Sequence, residues 1–320
     1  MAGPARAGRR AAGPVPSRSA ALVPEQAPAG IRIWLMAARP RTLPAAIAPV
    51  LVGTSLAVER GVFHAVSFLA ALLGSIFIQV GTNLANDYSD ARRGADTDDR
   101  LGPVRVTAGG LAPPRQVLLA TYITFGMAVL CGLYLVAVAG PELLLVGVAS
   151  ILAGVTYTGG PKPYGYEGLG ELFVFLFFGV VAVVGSYYVQ IQQLPWQAFV
   201  LSVPVGLLAA AILVVNNVRD LETDRRAGKR TLAVRLGRER TRALYAGMVA
   251  GAFVTAIVPW IAGSLSPWLA LSWLALPLAV PVVRTVRDRT DGPSLNGALA
   301  ATGKLQLAFC LLLSAGILAS

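Results

Sequence analysis

Charge is what this chain has least of. Only 13% of its 320 residues are Asp, Glu, Lys or Arg, against about 25% in soluble globular domains. With 55% apolar residues gathered into runs of roughly 18–25, which is bilayer-spanning length, that scarcity excludes an ordinary soluble fold. Histidine occurs once, as His64 on the expected external side, so any general base is a carboxylate, a tyrosine, or absent. Cysteine occurs twice, as Cys131 and Cys310, each inside an apolar run, which argues against a disulfide framework or a thiolate metal site. Acids are also few, 16 against 27 basic residues, for a net charge of +11. A basic surplus can mark nucleic-acid binding. Assigning the loops alternately to two sides, however, puts 26 of the 27 Lys and Arg on one side or in its flanks and leaves Arg60 alone on the other. This is the charge asymmetry of a polytopic membrane protein, whose basic side faces the cytoplasm, so membrane lipid is the expected surrounding and no nucleic-acid partner is expected.

Residues 1–30 contain no apolar block and read as a disordered basic tail. Their Arg-rich, acid-poor start also suits an organellar transit peptide, whereas Ala20–Val23 is too short for the apolar core of a secretory signal. Residues 31–320 are expected to form a single polytopic domain of nine transmembrane helices. The spans fall near 35–58, 63–85, 116–138, 142–160, 169–190, 197–218, 243–263, 267–284 and 298–319. Long polar loops, 86–115, 161–168, 219–242 and 285–297, all fall on one side of this arrangement.

Two polar stripes stand out at span ends on that side. Residues three or four apart share a helix face, so Asn83, Asn86, Asp87 and Asp90 form one stripe and Asn216, Asp220 and Asp224 another. Asn86-x-x-x-Asp90 superposes on Asn216-x-x-x-Asp220 at an offset of 130, which suggests two related halves. Carboxylates are costly in a bilayer, about 2.5–3.5 kcal/mol each at a span's centre, and two facing acidic clusters repel unless something positive lies between them. Hard oxygen donors of this kind suit Mg²⁺ bridged to substrate phosphates. Basic loops follow both stripes, with Arg105 after the first and Lys229 after the second, as the neutralisation of a diphosphate requires. Each base could equally be a topology determinant or a headgroup contact.

A Gly-, Pro- and Tyr-dense stretch, Tyr157 to Glu171, reads as a shaped turn lining a cavity and carries Lys162 as its only basic residue. Near the first span, Arg39-Pro-Arg41-Thr-Leu-Pro44 places two arginines, Arg39 and Arg41, at a helix start, either as interfacial anchors or as pocket bases. A secondary transporter also has repeats and intramembrane acids, but its polar groups lie near the bilayer midplane rather than at span ends.

The paired Asn-Asp-x-x-Asp and Asp-x-x-x-Asp motifs resemble those of the UbiA-type intramembrane prenyltransferases. Arg39-Pro-Arg41-Thr-Leu-Pro44, Asn86-Asp-Tyr-x-Asp90-x-x-x-Gly94-x-Asp96, Gly102-Pro-x-Arg105 and Gly-x-Gly-Glu171 resemble the branch that prenylates 1,4-dihydroxy-2-naphthoate. The resemblance implies a helical bundle around a cavity open to the cytoplasm, in a bacterial plasma membrane. It also implies a polyprenyl diphosphate donor and an aromatic acid acceptor that loses its carboxylate to give demethylmenaquinone. Acceptors of the 4-hydroxybenzoate, homogentisate or haem type would share the diphosphate site. The implied Mg²⁺ ligands are Asn86, Asp87, Asp90, Asp220 and Asp224. Lys162, Arg105 and Lys229 would neutralise the leaving diphosphate, with Asn83 and Asn216 beside them, and Arg41 and Tyr157 would hold the aromatic acid. One departure matters: the further Asp that many members carry four residues past Asp90 is Gly94 here, leaving Asp96 to substitute or the first cluster to carry fewer carboxylates.

Overall fold

A computed structural model describes residues 30–95 and 101–320, and every regular element among them is helical. The expectations for the basic tail and for Asp96 lie outside the described residues. In chain order come α1 (Ile31–Ala38), α2 (Pro44–Glu59), α3 (Ala65–Arg92), α4 (Pro114–Ala139) and α5 (Glu142–Thr156). The second part comprises α6 (Gly170–Ile191), α7 (Trp196–Arg226), the short α8 (Leu232–Leu236), α9 (Arg238–Ile261), α10 (Pro267–Asp288) and α11 (Gly292–Leu318).

Each of the nine expected spans coincides with one of these helices, although length and composition do not confirm a count of nine full crossings among the described residues. Seven described helices are long and apolar enough to cross a membrane, and α1 with α2 makes an eighth if that pair, bent by 53°, is one crossing. The shortfall is α5, whose 15 residues rise only about 22 Å against a hydrocarbon core of roughly 30 Å. Its helix stops at Thr156 because the Gly159-Gly160-Pro161 run that follows cannot continue it: proline disfavours helical backbone in the residue before it and supplies no N–H.

The fold is organised around α7. Its apolar stretch is 72% buried, whereas that of α4 is only 17% buried; α7 is therefore the core helix and α4 a peripheral one. Around α7 pack α2, α6, α9 and α11, with α10 packed outside on α11 and α9, through a continuous core that includes Leu56, Leu201, Leu208, Tyr245, Phe309 and Leu313. Midway along α6 the residues Phe175–Val181 wind as a π-helix, a departure that recurs at functional sites. There Gly179 meets Gly206 of α7 so closely that a Cβ on Gly179 would lie 2.6 Å from the Gly206 Cα, so only glycine permits this crossing.

On the other flank α3 packs against α4 and α5. A cavity of about 460 Å³ lies between this group and α6–α7, lined by Ala70 through Asp90 on α3 and by Ala209 through Asp224 on α7. Twenty residues of α3, from Ala70 to Asp90, climb about 30 Å, so the cavity runs the full depth of a bilayer core. Its walls are mostly apolar, and its charged groups, Arg39, Asp90, Arg105, Asp220, Asp224 and Lys229, gather at one end.

Candidate active site

The polar end of the cavity is built from the last turns of α3 and α7 and the loops that follow them. Helical periodicity delivers both stripes to the same space: Asn83, Asn86 and Asp90 from α3, and Asn216, Asp220 and Asp224 from α7, all line the cavity. Asp90 is 2% exposed and is the most heavily engaged. Its Oδ1 accepts a hydrogen bond from the Tyr166 hydroxyl at 2.6 Å, and its Oδ2 lies 3.4 Å from Arg105 Nη2 and 3.9 Å from Lys229 Nζ. The same ammonium stands 3.9 Å from Asp224 Oδ1 and 4.6 Å from the Tyr166 ring centroid. One cation thus lies between the two acidic stripes, resolving in this state the repulsion that their approach creates.

Asp220 is held differently. The buried Arg219 beside it donates from Nε and Nη2 to both carboxylate oxygens, at 2.8 and 2.6 Å. The same guanidinium reaches Asn216 Oδ1 at 2.7 Å and Asn296 Oδ1 on α11 at 2.6 Å. Asn296 in turn donates to the Leu101 carbonyl at 3.0 Å, so one arginine ties the second stripe to α11 and to the loop after α3. Asn86 accepts from the Thr158 hydroxyl at 2.9 Å, and the Arg230 amide donates to the Tyr166 carbonyl at 2.8 Å; these contacts join the Tyr-rich turn to both stripes. Tyr157 lines the cavity just beyond α5.

Three expected site residues stand elsewhere. Asp87 does not line the cavity; its two oxygens accept the Val106 and Thr107 amides at 3.0 and 2.8 Å, because on a helix it points about 100° away from Asn86. It pins the loop that carries Arg105. Arg41 is exposed on the single 3₁₀ turn Pro40–Thr42 and is not part of the lining. The neighbouring Arg39, held at φ 53°, lines the cavity instead and reaches the Asn83 carbonyl at 3.5 Å. Lys162 is exposed in the turn and does not line the cavity, while Tyr166 turns inward from the same turn. Asn83 lines the cavity, but its amide is spent on the Ala38 carbonyl and the Thr42 hydroxyl, at 2.9 and 3.2 Å, closing α1 onto α3.

Residues that the sequence did not single out complete the site. They are Tyr166, Arg219 and Asn217, the last bonded through Nδ2 to Glu171 Oε1 at 2.8 Å. The density of tyrosine between 157 and 166 signalled Tyr166; nothing local signalled Asn217, whose partner is 46 residues away. An aromatic wall adjoins it, with Tyr157 edge-on to Tyr164 at 5.5 Å and Tyr164 stacked on Phe173 at 4.0 Å.

No group of three or more His, Cys, Asp or Glu side chains converges as a metal cage among the described residues. The donor set still fits Mg²⁺, which keeps several waters and takes only one or two carboxylates alongside substrate phosphates. Asp90 and Asp224 are oxygen donors already sharing one cation, and Arg219 leaves Asp220 two of its roughly four lone-pair sites.

Residues 46–299 match the UbiA prenyltransferase family. The 1,4-dihydroxy-2-naphthoate octaprenyltransferase of Mycobacterium tuberculosis is 45% identical over 281 residues, covering 87% of this chain and 94% of that protein. The Escherichia coli protein of the same name is 40% identical over 302 residues, covering 92% and 98%. Among solved structures, a UbiA homolog from Archaeoglobus fulgidus bound to DMAPP and Mg²⁺ superposes with a TM-score of 0.61 at 17% identity, covering 89% of this chain and 99% of that one. The apo structure of a UbiA homolog from Aeropyrum pernix gives 0.64 at 17% identity, covering 87% and 97%. An all-helical membrane bundle with two acidic stripes across one cavity, matched over most of its length, places the chain in the UbiA prenyltransferase family.

Proposed function

We propose that this protein transfers a polyprenyl group from polyprenyl diphosphate to 1,4-dihydroxy-2-naphthoate in menaquinone biosynthesis. The observation that carries the reading is the Lys229 ammonium lying 3.9 Å from a carboxylate of each stripe, at the polar mouth of an otherwise apolar cavity. Relatives at 34–45% identity that bear the 1,4-dihydroxy-2-naphthoate octaprenyltransferase name favour this acceptor over other aromatic acids. The polar groups sit at helix ends and not midway along the spans, which disfavours a transporter.

In this reading the diphosphate lies between α3 and α7. Lys229, Arg105 and Arg39 neutralise its oxygens as negative charge grows on the leaving group. Lys162 and Arg41 drop out of the machinery because they are exposed and off the cavity. Mg²⁺ held by Asn86, Asp90, Asp220 and Asp224 would supply Lewis-acid stabilisation of that leaving group. Asp87 acts on the site only through the loop it pins. The prenyl chain runs down the apolar length of the cavity, whose walls keep water from the allylic cation. An aromatic ring carbon supplies the electron pair for the new bond. Loss of carbon dioxide returns a pair to the ring, so the product keeps both hydroxyls and is demethylmenaquinone in its reduced form.

Residues 31–320 form one catalytic domain in this reading. The basic surplus at the site's end supports a cytoplasmic orientation of that end, and the bacterial relatives favour the plasma membrane. Purified protein incubated with Mg²⁺, radiolabelled polyprenyl diphosphate and a panel of aromatic acids tests the proposal. Label should pass into a decarboxylated naphthalenediol. Preferential labelling of 4-hydroxybenzoate or homogentisate would reassign the acceptor, and no labelling of any arene would refute prenyl transfer to aromatic acids.

A further inference from the structure

We infer that Asn217 binds a hydroxyl of the aromatic acceptor through its carbonyl oxygen, and that Glu171 is the positioning residue that turns that oxygen toward the cavity. The inference rests on the aromatic-acceptor reading above. Asn217 lies on the cavity face of α7 and is only 5% exposed. Its amide nitrogen is committed to Glu171 Oε1 at 2.8 Å. An amide whose nitrogen is held on one side presents its oxygen on the other, and Asn217 Oδ1 has no protein partner among the described residues. An acceptor that opens onto the cavity without a protein partner suits a ligand donor.

The surroundings select the donor. Glu171 is 4% exposed and does not line the cavity, and its Oε2 has no partner among the described residues. Its side-chain partner across the helix pair is Asn217, which gives it an orienting role. The preceding Gly170 packs directly on the Tyr157 ring and on Leu213: a Cβ there would lie 3.2 Å from Tyr157 Cε2 and 3.0 Å from Leu213 Cδ2. Leu213 is one helical turn from Asn217, so the open carbonyl adjoins the wall of Tyr157, Tyr164 and Phe173. A flat ring stacked on that wall brings an aromatic hydroxyl, the donor that a diphosphate lacks, toward Oδ1. As the ring attacks the allylic carbon, positive charge spreads onto the hydroxyl oxygen and its O–H becomes a stronger donor. The contact then tightens in the transition state and accelerates the step.

The test pairs variants with acceptors. Steady-state constants for donor and acceptor would be measured for wild type, Asn217→Ala, Glu171→Leu and Glu171→Gln, with 1,4-dihydroxy-2-naphthoate and with its two monohydroxy analogues. Loss of one hydrogen bond to a charging group corresponds to a roughly ten- to hundredfold fall in acceptor kcat/KM. Asn217→Ala and Glu171→Leu should each show that fall with little change in donor KM. Glu171→Gln, which keeps an acceptor for the Asn217 amide, should recover most of it. One monohydroxy analogue should lose a similar factor in wild type and suffer no further loss in Asn217→Ala. Asn217→Ser carries the same comparison should Asn217→Ala not purify folded.

Equal penalties on the dihydroxy substrate and both analogues would overturn the inference, as would a deficit confined to donor KM, or a Glu171→Leu enzyme with wild-type acceptor constants. Absence of any aromatic prenylation by wild type is a separate result and would strike the proposed function itself.

Discussion

Replacing Arg219 probes the scaffold of the second stripe. Its guanidinium makes four contacts of 2.6–2.8 Å, two to Asp220 and one each to Asn216 and Asn296, at 3% exposure. In Arg219→Leu the Asp220 carboxylate, itself 6% exposed, stays buried without its partner. Breaking a buried pair from one side costs about 3–5 kcal/mol, which is roughly two to nearly four decades in an equilibrium constant. Arg219→Lys keeps the charge but cannot form the fork. It forfeits at least one charge-assisted bond of about 1.5–3 kcal/mol. Equilibrium unfolding of the purified protein in mixed detergent micelles should therefore rank wild type above Lys and Lys above Leu. Turnover should fall in the same order, because Asp220 and Asn216 lose their fixed geometry together. A Leu variant within about 0.5 kcal/mol of wild type, the ordinary range for surface substitutions, and with normal kinetics would refute the reasoning.

Two further substitutions separate residues that the sequence could not tell apart. Asp87→Ala removes both acceptors of the Val106 and Thr107 amides, so it should raise donor KM by loosening the Arg105 loop. The metal concentration for half-maximal activity should stay near wild type, whereas a metal ligand would shift it strongly. Lys162→Ala and Arg41→Ala alter exposed residues outside the cavity, so both should leave donor and acceptor KM within about twofold. A tenfold change in either titration would return them to the site.

Much of this arrangement is legible in the sequence because membrane physics is coarse. Apolar run length located every long helix but not the short α8 inside the 219–242 loop, and the spacing of three and four brought Asn86 and Asp90 to the same cavity as Asp220 and Asp224. What the pattern could not resolve was finer than its period. Asn86 and Asp87 are adjacent and equally polar, and only the fold shows that one faces the cavity while the other caps a loop. Lys162, Tyr166 and Lys229 lie in segments without periodicity, so which of them turns inward is decided by the turn after Gly160 and the tie between Arg230 and Tyr166. The shortness of α5 follows from a Gly-Gly-Pro run that an apolar count does not penalise. The pairing of Glu171 with Asn217 joins two helices, and no local signal in either could have announced it.

The most direct measurement concerns the head group between the stripes. A prenyl thiolodiphosphate, which resists ionisation, would be titrated calorimetrically into wild type and into Asp90→Ala, each with Mg²⁺ and with EDTA. Wild type should bind it only with Mg²⁺, and Asp90→Ala should bind at least about tenfold more weakly, the equivalent of one lost charge-assisted contact of 1.4 kcal/mol or more. Equal affinity in EDTA and Mg²⁺, or full affinity without the Asp90 carboxylate, would contradict a metal-bridged diphosphate between α3 and α7.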